Sequence, residues 1–281
     1  MRKGRRVAFQ GEEGAYSEEA VYQFFGDSVE VVPCKSLSDV FRAVEERRVD
    51  WGLVPVENSL GGSIVRTYDL FLDSTLKIGG ETILKVVHCL ISDAQTDLSA
   101  VKTVYSHPQA LAQCRAFLEQ FKLESMATYD TAGSVKMLKD KKLTASAAIA
   151  SEHAAHVYGM KILAKGIQTN PNNFTRFFII GEQDAAPTGD DKTSLVFSTK
   201  HAPGALVNAL KQFATRTINL TKIESRPIIN RPWEYNFYLD LEGHREDPNI
   251  QEALQALREH STFVKILGSY PRAKEYAVRN Q

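Results

Sequence analysis

The chain predicts an α/β domain followed by a smaller α+β domain, and three patterns carry that expectation. From residue 5 to about 181, short apolar runs alternate with amphipathic stretches, the rhythm of an α/β domain built on a parallel sheet. Residues 182–191, from Glu182 to Asp191, are polar with Pro187 and Gly189, the composition of a linker. After them the order becomes strand, helix, strand, strand, helix, strand, which is the βαββαβ unit of ferredoxin-like folds.

Taken in order, the apolar runs predict strands over Arg6–Phe9, Val29–Pro33, Trp51–Val56, Ile83–Ile91, Thr103–Tyr105, Met126–Tyr129, Ala145–Ala150 and Phe174–Ile180. Helices fill the intervals. Ser36 can cap Leu37 to Glu46, with Asp39 three residues further on. Pro108 opens a helix running through Phe117, because its fixed φ and missing N–H suit a first helical position. In the second domain the expected elements are strand Thr193–Ser198, helix Pro203–Phe213, strands Ile218–Arg226 and Glu234–Leu241 around a turn at Asn230-Arg231-Pro232, helix Pro248–His260 and strand Phe263–Tyr270.

Composition narrows the function classes. A chain of 281 residues suggests two domains. At this length folding buries roughly three quarters of the unfolded surface, so neither disulfides nor a metal is needed for stability. Lys plus Arg and Asp plus Glu each number 34, and a formal charge of zero argues against general affinity for nucleic acid or anionic membrane. The basic clusters Lys3-Gly4-Arg5-Arg6 and Lys139 to Lys142 are solvated surface. Cys34, Cys89 and Cys114 are scattered thiols without a C-x-x-C pair, a usage that fits the cytoplasm. The start, Met1-Arg2-Lys3 and then Val7-Ala8-Phe9, lacks the apolar core of a signal peptide. No apolar run approaches the ~20 residues of a membrane span.

Polar clusters fall where a strand gives way to a helix. They are Gly11 to Ser17, Pro55 to Ser63, Ser106-His107-Pro108-Gln109-Ala110 and Asp130-Thr131-Ala132-Gly133-Ser134. In a parallel sheet the carboxyl ends of the strands share one edge, so these clusters can converge on one cleft. None contains Lys or Arg, which implies a small anion held by hydroxyls, amides and helix N-termini. Taken singly, each cluster is better read as an ordinary set of helix caps. Gly11-x-x-Gly14 lacks the spacing of a dinucleotide fingerprint, and no His, Cys, Asp and Glu set has metal-ligand spacing. A further polar pair, Thr175-Arg176, sits at the mouth of the apolar strand Phe177 to Ile180, after the loop residues Asn170 to Asn173.

Together these segments, with Asn173-Phe174-Thr175-Arg176-Phe177 and Glu224-Ser225-Arg226-Pro227, resemble the prephenate dehydratases along essentially the whole chain. Ala15, where that family often has Thr, and Gly61, where it often has an acid or amide, are the departures. The resemblance implies a catalytic domain over 1–182 with two lobes like a periplasmic binding protein, about 1–82 plus 167–182, and 83–166. It implies conversion of prephenate to phenylpyruvate, water and carbon dioxide, without cofactor or metal. Thr175 is the implied catalytic residue. Asn58, Ser59, Ser106, Gln109, Thr131, Ser134, Asn173 and Arg176 are the implied substrate-binding residues, with Glu57 and His107 in support. In a regular strand Arg176 points away from Thr175, which makes its role supporting unless the strand entrance bends. Arogenate dehydratase, whose substrate carries an amine in place of the keto group, and a non-catalytic amino-acid sensor are the alternatives.

Residues 192–281 are similar to an ACT domain, a small amino-acid-binding module. The implied effector is L-phenylalanine, acting as a feedback inhibitor. Gly204, Ala205, Leu206, Asn219, Leu220, Thr221, Glu224, Ser225 and Arg226 are the implied binding residues, at an interface between two subunits. The exposed edges of such a sheet favour a homodimer, or a homotetramer made of dimers.

Overall fold

The computed structural model describes residues 5–274. Lys3 and Gly4 of the first basic cluster, and residues 275–281 of the second domain, lie outside the described residues. The chain forms two compact units. One comprises the chain up to Thr67 together with Thr82–Phe177, and the other Tyr68–Glu81 together with Phe178 onward.

In chain order the elements are β1 (Arg6–Gln10), α1 (Tyr16–Phe25), β2 (Glu30–Cys34), α2 (Leu37–Glu45), β3 (Trp51–Asn58), β4 (Gly62–Ser63), α3 (Val65–Asp73), β5 (Lys77–Lys85) and β6 (Cys89–Ser92). Then come β7 (Thr103–Ser106), α4 (Pro108–Gln113), α5 (Arg115–Gln120), β8 (Glu124–Ala127), α6 (Thr131–Lys141), β9 (Ser146–Ala150), α7 (Glu152–Tyr158), β10 (Lys161–Lys165) and β11 (Phe174–Gly181). The rest is β12 (Asp191–Ser198), α8 (Ala205–Ala214), β13 (Leu220–Ile228), β14 (Arg231–Glu242), α9 (Pro248–Glu259) and β15 (Phe263–Pro271).

The strands form three sheets, ordered β2-β1-β3-β11-β5 with β4 on β3, β10-β6-β9-β7-β8, and β13-β14-β12-β15. Val7, Ala8 and Phe9 of β1 are fully buried, as a strand covered on both faces requires. Parallel pairing holds for β1 with β2 and β3, and for β7 with β8 and β9. It fails at β6, which is antiparallel to both β9 and β10. The expected strand Ile83–Ile91 is two strands, β5 and β6. Between them Val86, Val87 and His88 carry the chain from the first sheet to the second, so β6 is not reached through a helical crossover and need not run parallel. The return passes through 166–173. Backbone bonds tie the two crossings together: Val86 N donates to Asn173 O at 2.8 Å, and Gly166 N to His88 O at 2.9 Å.

Ser36 caps α2 as expected, its Oγ accepting from Asp39 N at 3.2 Å. The helix expected from Pro108 to Phe117 divides into α4 and α5 at fully buried Cys114. Among the described residues the three cysteines are free, and no helix is long and apolar enough to cross a membrane.

The third sheet has the antiparallel order of a ferredoxin-like fold, with the first strand in the middle beside the third and fourth. Leu195, Phe197, Leu239 and Leu241 face α8 and α9 and pack with Ala209, Phe213 and Leu254. The opposite face carries Tyr238, whose hydroxyl donates to Tyr68 O at 3.0 Å. Lys265 Nζ donates to the carbonyls of Phe71 and Leu72, both at 2.8 Å, and of Ser74 at 2.7 Å, satisfying the free end of α3. Burial holds its pKa below the usual lysine value. The 182–191 segment is less free than its composition suggests: Asp184 pairs with Arg245 at 2.7 Å, and Ala185 O lies 3.2 Å from His244 Nε2.

Lys265→Met keeps the stem and leaves those carbonyls without a charged donor. It is expected to lower stability by about 2 kcal/mol, read as a shift in urea midpoint at unchanged slope. An unshifted midpoint would show that the carbonyls are satisfied without it.

Candidate active site

A cavity of about 500 Å³ opens within the first unit. Pro55 and Asn58 of β3 and the following turn Gly61 to Ile64 form one wall. Thr175 and Phe177 of β11 continue it. Val86 and His88 of the first crossing form the back, and Tyr16 and Ser17 of α1, His107, Gln109, Ala110 and Gln113 beside and along α4, and Thr131 of α6 complete the lining. Among the described residues the lining carries no Asp, Glu, Lys or Arg. Its polar groups are hydroxyls, amides and imidazoles set among Pro55, Ile64, Val86, Ala110 and Phe177.

Thr175 and Phe177 share one face of β11, as residues two apart must. Arg176 between them therefore points away from the cavity and does not line it. The Thr175 hydroxyl is held by Asn58, whose Nδ2 donates to Oγ1 at 3.0 Å. The amide orientation of Asn58 is dictated by its surroundings. Its Oδ1 accepts from Leu60 N at 3.1 Å and Gly61 N at 2.8 Å, so Nδ2 must face β11. There its two protons are shared among three acceptors, Thr175 Oγ1, Asn173 Oδ1 at 2.8 Å and Phe174 O at 3.1 Å. Since Oγ1 accepts from Asn58, the threonine O–H remains to donate into the cavity.

Other expected ligands reach the cavity. Gln109 and Thr131 line it, and His107 does so while its Nδ1 accepts from Gln109 N at 3.2 Å, capping α4. Gly61 lies close to Gln109: a Cβ there would stand 2.3 Å from Nε2. A side chain at this position would therefore have to displace the end of the Gln109 side chain.

Several expected ligands do not line the cavity. Ser59 Oγ donates to Asn172 O and accepts from Phe174 N, both at 3.0 Å. Fully buried Ser106 donates to Ile149 O at 2.6 Å, and fully buried Ser134 to Asp130 O at 2.7 Å. Each hydroxyl satisfies a neighbouring backbone group, as a buried polar group must. Asn173 is fully buried behind the wall and acts through Asn58. Glu57 alternates away from Asn58 along β3 and pairs in register with Ser63.

Tyr16, His88 and Gln113 were not expected. Burial pushes the Tyr16 phenol well above its usual pKa and the His88 imidazole below its own, so both rest neutral. His88 Nε2 lies 2.8 Å from Gln113 Oε1, and Nδ1 2.8 Å from Tyr16 Oη. Two signals were available in the sequence. A single polar ring interrupts the apolar run Val86-Val87-His88-Cys89-Leu90, and Gln113 follows Gln109 by one helical turn.

Among the effector residues, Leu206 lines a small cavity of about 150 Å³ with His201, Trp233, Tyr235 and Phe237. Gly204 caps α8 in the left-handed region at φ 78°. Glu224 pairs in register with Tyr238, on the sheet face opposite α8, and forms an ion pair with Lys222 at 3.4 Å. A single chain therefore does not gather Leu206 and Glu224 around one ligand.

A family model described as prephenate dehydratase matches residues 7–185 and stops short of the third sheet. The chain is 44% identical over 277 residues to a bifunctional chorismate mutase/prephenate dehydratase of Aquifex aeolicus, covering 97% of this chain and 75% of that protein. It is 45% identical over 277 residues to arogenate dehydratase/prephenate dehydratase 2 of Arabidopsis thaliana, covering 95% and 72%. Among solved structures, a prephenate dehydratase in complex with L-Phe from Arthrobacter aurescens is 32% identical with a TM-score of 0.87, covering 95% of this chain and 90% of that one. GqqA, described as a novel type of quorum quenching acylase, is 33% identical with a TM-score of 0.89, covering 97% and 99%.

Gly61→Ala is expected to displace the Gln109 amide and weaken ligand binding in the cavity by about tenfold, an overpacking cost of ~1–2 kcal/mol. Calorimetric titration checks the affinity. Unchanged affinity, with Gln109 unmoved in a structure of the variant, would remove the close approach as a constraint.

Proposed function

The chain belongs to the prephenate dehydratase family, and we propose that it carries out that family's reaction with Thr175 as the donor to the departing hydroxyl. It is a decarboxylating carbon–oxygen lyase, converting prephenate to phenylpyruvate, water and carbon dioxide. The observation that carries the assignment of Thr175 is the bond from Asn58 Nδ2 to Oγ1 at 3.0 Å, which leaves the threonine O–H to donate into the cavity.

The reaction needs little chemistry from the protein. As the carboxylate on the ring leaves as carbon dioxide, the electron pair of the broken C–C bond enters the ring. The ring C–O bond breaks, and aromatisation drives the step. Negative charge develops on the departing oxygen. A hydroxyl at the intrinsic acidity of threonine does not transfer its proton early, so its contribution is a hydrogen bond that strengthens as that charge grows. Donation from Asn58 polarises the same hydroxyl and reinforces the effect. Solvent supplies the proton that completes the water. Gln109, Thr131, Ser17 and Ser63 are the neutral groups available to the substrate carboxylates, while Phe177, Val86 and Ile64 offer apolar contact to the ring.

The lining also bears on the choice between prephenate and arogenate. With no Asp or Glu in it, an ammonium on the substrate side chain would be desolvated without a counter-charge, which favours the keto acid. Acyl-amide hydrolysis would require an activated nucleophile, and the side-chain group bonded to Thr175 Oγ1 is an amide N–H, not a base.

We assign catalysis to 1–182 and regulation to 192–281. The reading of the third sheet as an ACT domain that binds L-phenylalanine rests on its strand order and on the L-Phe complex of the A. aurescens relative. Because Leu206 and Glu224 lie on opposite sides of the sheet, the effector site is one completed by a second copy of the chain.

Thr175→Ala is expected to fold normally and to lose about a hundredfold or more in kcat, with Thr175→Ser retaining most of it; phenylpyruvate formation is the assay. Near-wild-type turnover by the alanine variant would exclude the role. L-phenylalanine is expected to inhibit and to bind more weakly when a substrate analogue fills the cavity. Equal affinity with and without the analogue would sink the regulatory reading.

A further inference from the structure

We propose that His88, held between Tyr16 and Gln113, is a positioning residue for the dehydration, closing and holding in place a chain of amides that presents the Thr175 hydroxyl to the cavity. The inference rests on the assignment of Thr175 above and extends it to a ring that need not touch the reacting atoms.

The chain of bonds can be followed atom by atom. Thr175 Oγ1 accepts from Asn58 Nδ2 at 3.0 Å, and the same nitrogen donates to Asn173 Oδ1 at 2.8 Å. Asn173 Nδ2 donates to Gln113 Oε1 at 2.9 Å. That oxygen also faces His88 Nε2 at 2.8 Å, so Nε2 must carry the ring proton. Nδ1 is then an acceptor, and the Tyr16 hydroxyl at 2.8 Å is its donor, shared with Val87 O at 3.0 Å. His88 is 2% exposed, and burial disfavours its charged form.

Each amide in this series has two possible orientations, and the polarity of its neighbours selects one. The far end is fixed by the backbone N–H groups of Leu60 and Gly61 on Asn58 Oδ1. The near end is closed by the ring, whose tautomer follows from the amide orientations set at Asn58 and which, with Nε2 protonated, opposes reversal of Gln113. Were Gln113 turned over, its NH2 would oppose the Asn173 NH2, and Asn173 would follow or lose its bond. His88 also sits where its backbone is immobilised. Its N donates to Gln168 Oε1 at 2.9 Å, and its O accepts from Gly166 N at 2.9 Å and Ile167 N at 3.1 Å. A side chain anchored at both backbone groups and both ring nitrogens is suited to hold one orientation through many turnovers. A purely structural ring would need burial, but not this directed contact with Gln113.

A double-mutant cycle separates this role from a structural one. His88→Leu is expected to lower kcat by about tenfold to a hundredfold with KM little changed, since a small misplacement of a reacting group costs on that order. His88→Gln, which keeps an N–H donor at the reach of Nε2, should recover most of the loss. In the Thr175→Ala background, His88→Leu should cost nothing further in kcat, because the hydroxyl it directs is gone. The same penalty in both backgrounds, a loss confined to KM, or failure of glutamine to recover activity would each overturn the proposal. Should His88→Leu not fold, Gln113→Met takes its place in the cycle with the same expectations. If Thr175→Ala itself turned over normally, the functional reading would fail instead, a result distinguishable from either of these.

Discussion

A carboxamide whose oxygen is already taken by two backbone N–H groups can only donate with its nitrogen. That constraint at Asn58 organises the site. The turn after β3 supplies Leu60 N and Gly61 N, the amide is thereby oriented, and the nitrogen reaches across to β11. A threonine at the start of a strand has no intrinsic reason to aim its proton at a ligand. In the role proposed for Thr175 it does so because one lone pair of Oγ1 is occupied by a donor that cannot turn around. The chemistry follows from satisfying ordinary backbone groups in a tight turn, and not from an unusual acid.

The neutrality of the cavity belongs to the same logic. A cation opposite each substrate carboxylate would bind the ground state strongly, but affinity equal in ground and transition states does not raise kcat. Charged side chains would also have to be desolvated as ligand entered and displaced their water, at a cost repaid only with good geometry. Neutral donors avoid that cost. They act most strongly where charge newly appears, on the leaving oxygen, and the apolar contacts from Phe177, Val86 and Ile64 keep the local dielectric low. Burial keeps Tyr16 and His88 neutral as well, so hydrogen-bond direction, and not charge, is what the surrounding groups transmit.

Much of this was legible in the sequence, for identifiable reasons. Thr175 stood out because a polar pair at the mouth of an apolar run has few places to go. Ser36 was recognisable as a cap because Asp39 follows at the spacing the helix geometry demands. Ser59, Ser106 and Ser134 show the limit: a hydroxyl beside a helix start looks the same whether it meets a ligand or a backbone carbonyl, and only coordinates separate the two. The crossing was expected at the lobe boundary near 82–83 and lies a few residues later, at 86–88, because the apolar run continues through it and drew one strand over Ile83–Ile91 where there are two. Periodicity registers burial, and burial does not stop where the chain changes sheets. The 182–191 segment misled in the opposite sense. Polar composition marks exposure, yet Asp184 is fixed by Arg245.

The third sheet, proposed above as the regulatory module, presents the complementary problem: one chain does not bring Leu206 and Glu224 to the same face of the sheet. Strand alternation puts Ile223 on the side of Leu239 and α8, and Glu224 on the side of Tyr238. No side-chain rotation carries a carboxylate through a hydrogen-bonded sheet. Lys222 already neutralises Glu224 and lies 5.5 Å over the Tyr68 ring, so this face is closed by its own partners. Val207 on α8 and Ile229 and Trp233 at the tip of the β13–β14 hairpin are, by contrast, exposed at 67%, 83% and 74%. Trp233 lines the small cavity that also contains Leu206, and exposed apolar side chains of this size are poorly placed in water and well placed against another chain. An amino acid bound there would be buried only after association, and its affinity would then depend on how two copies of the sheet are held.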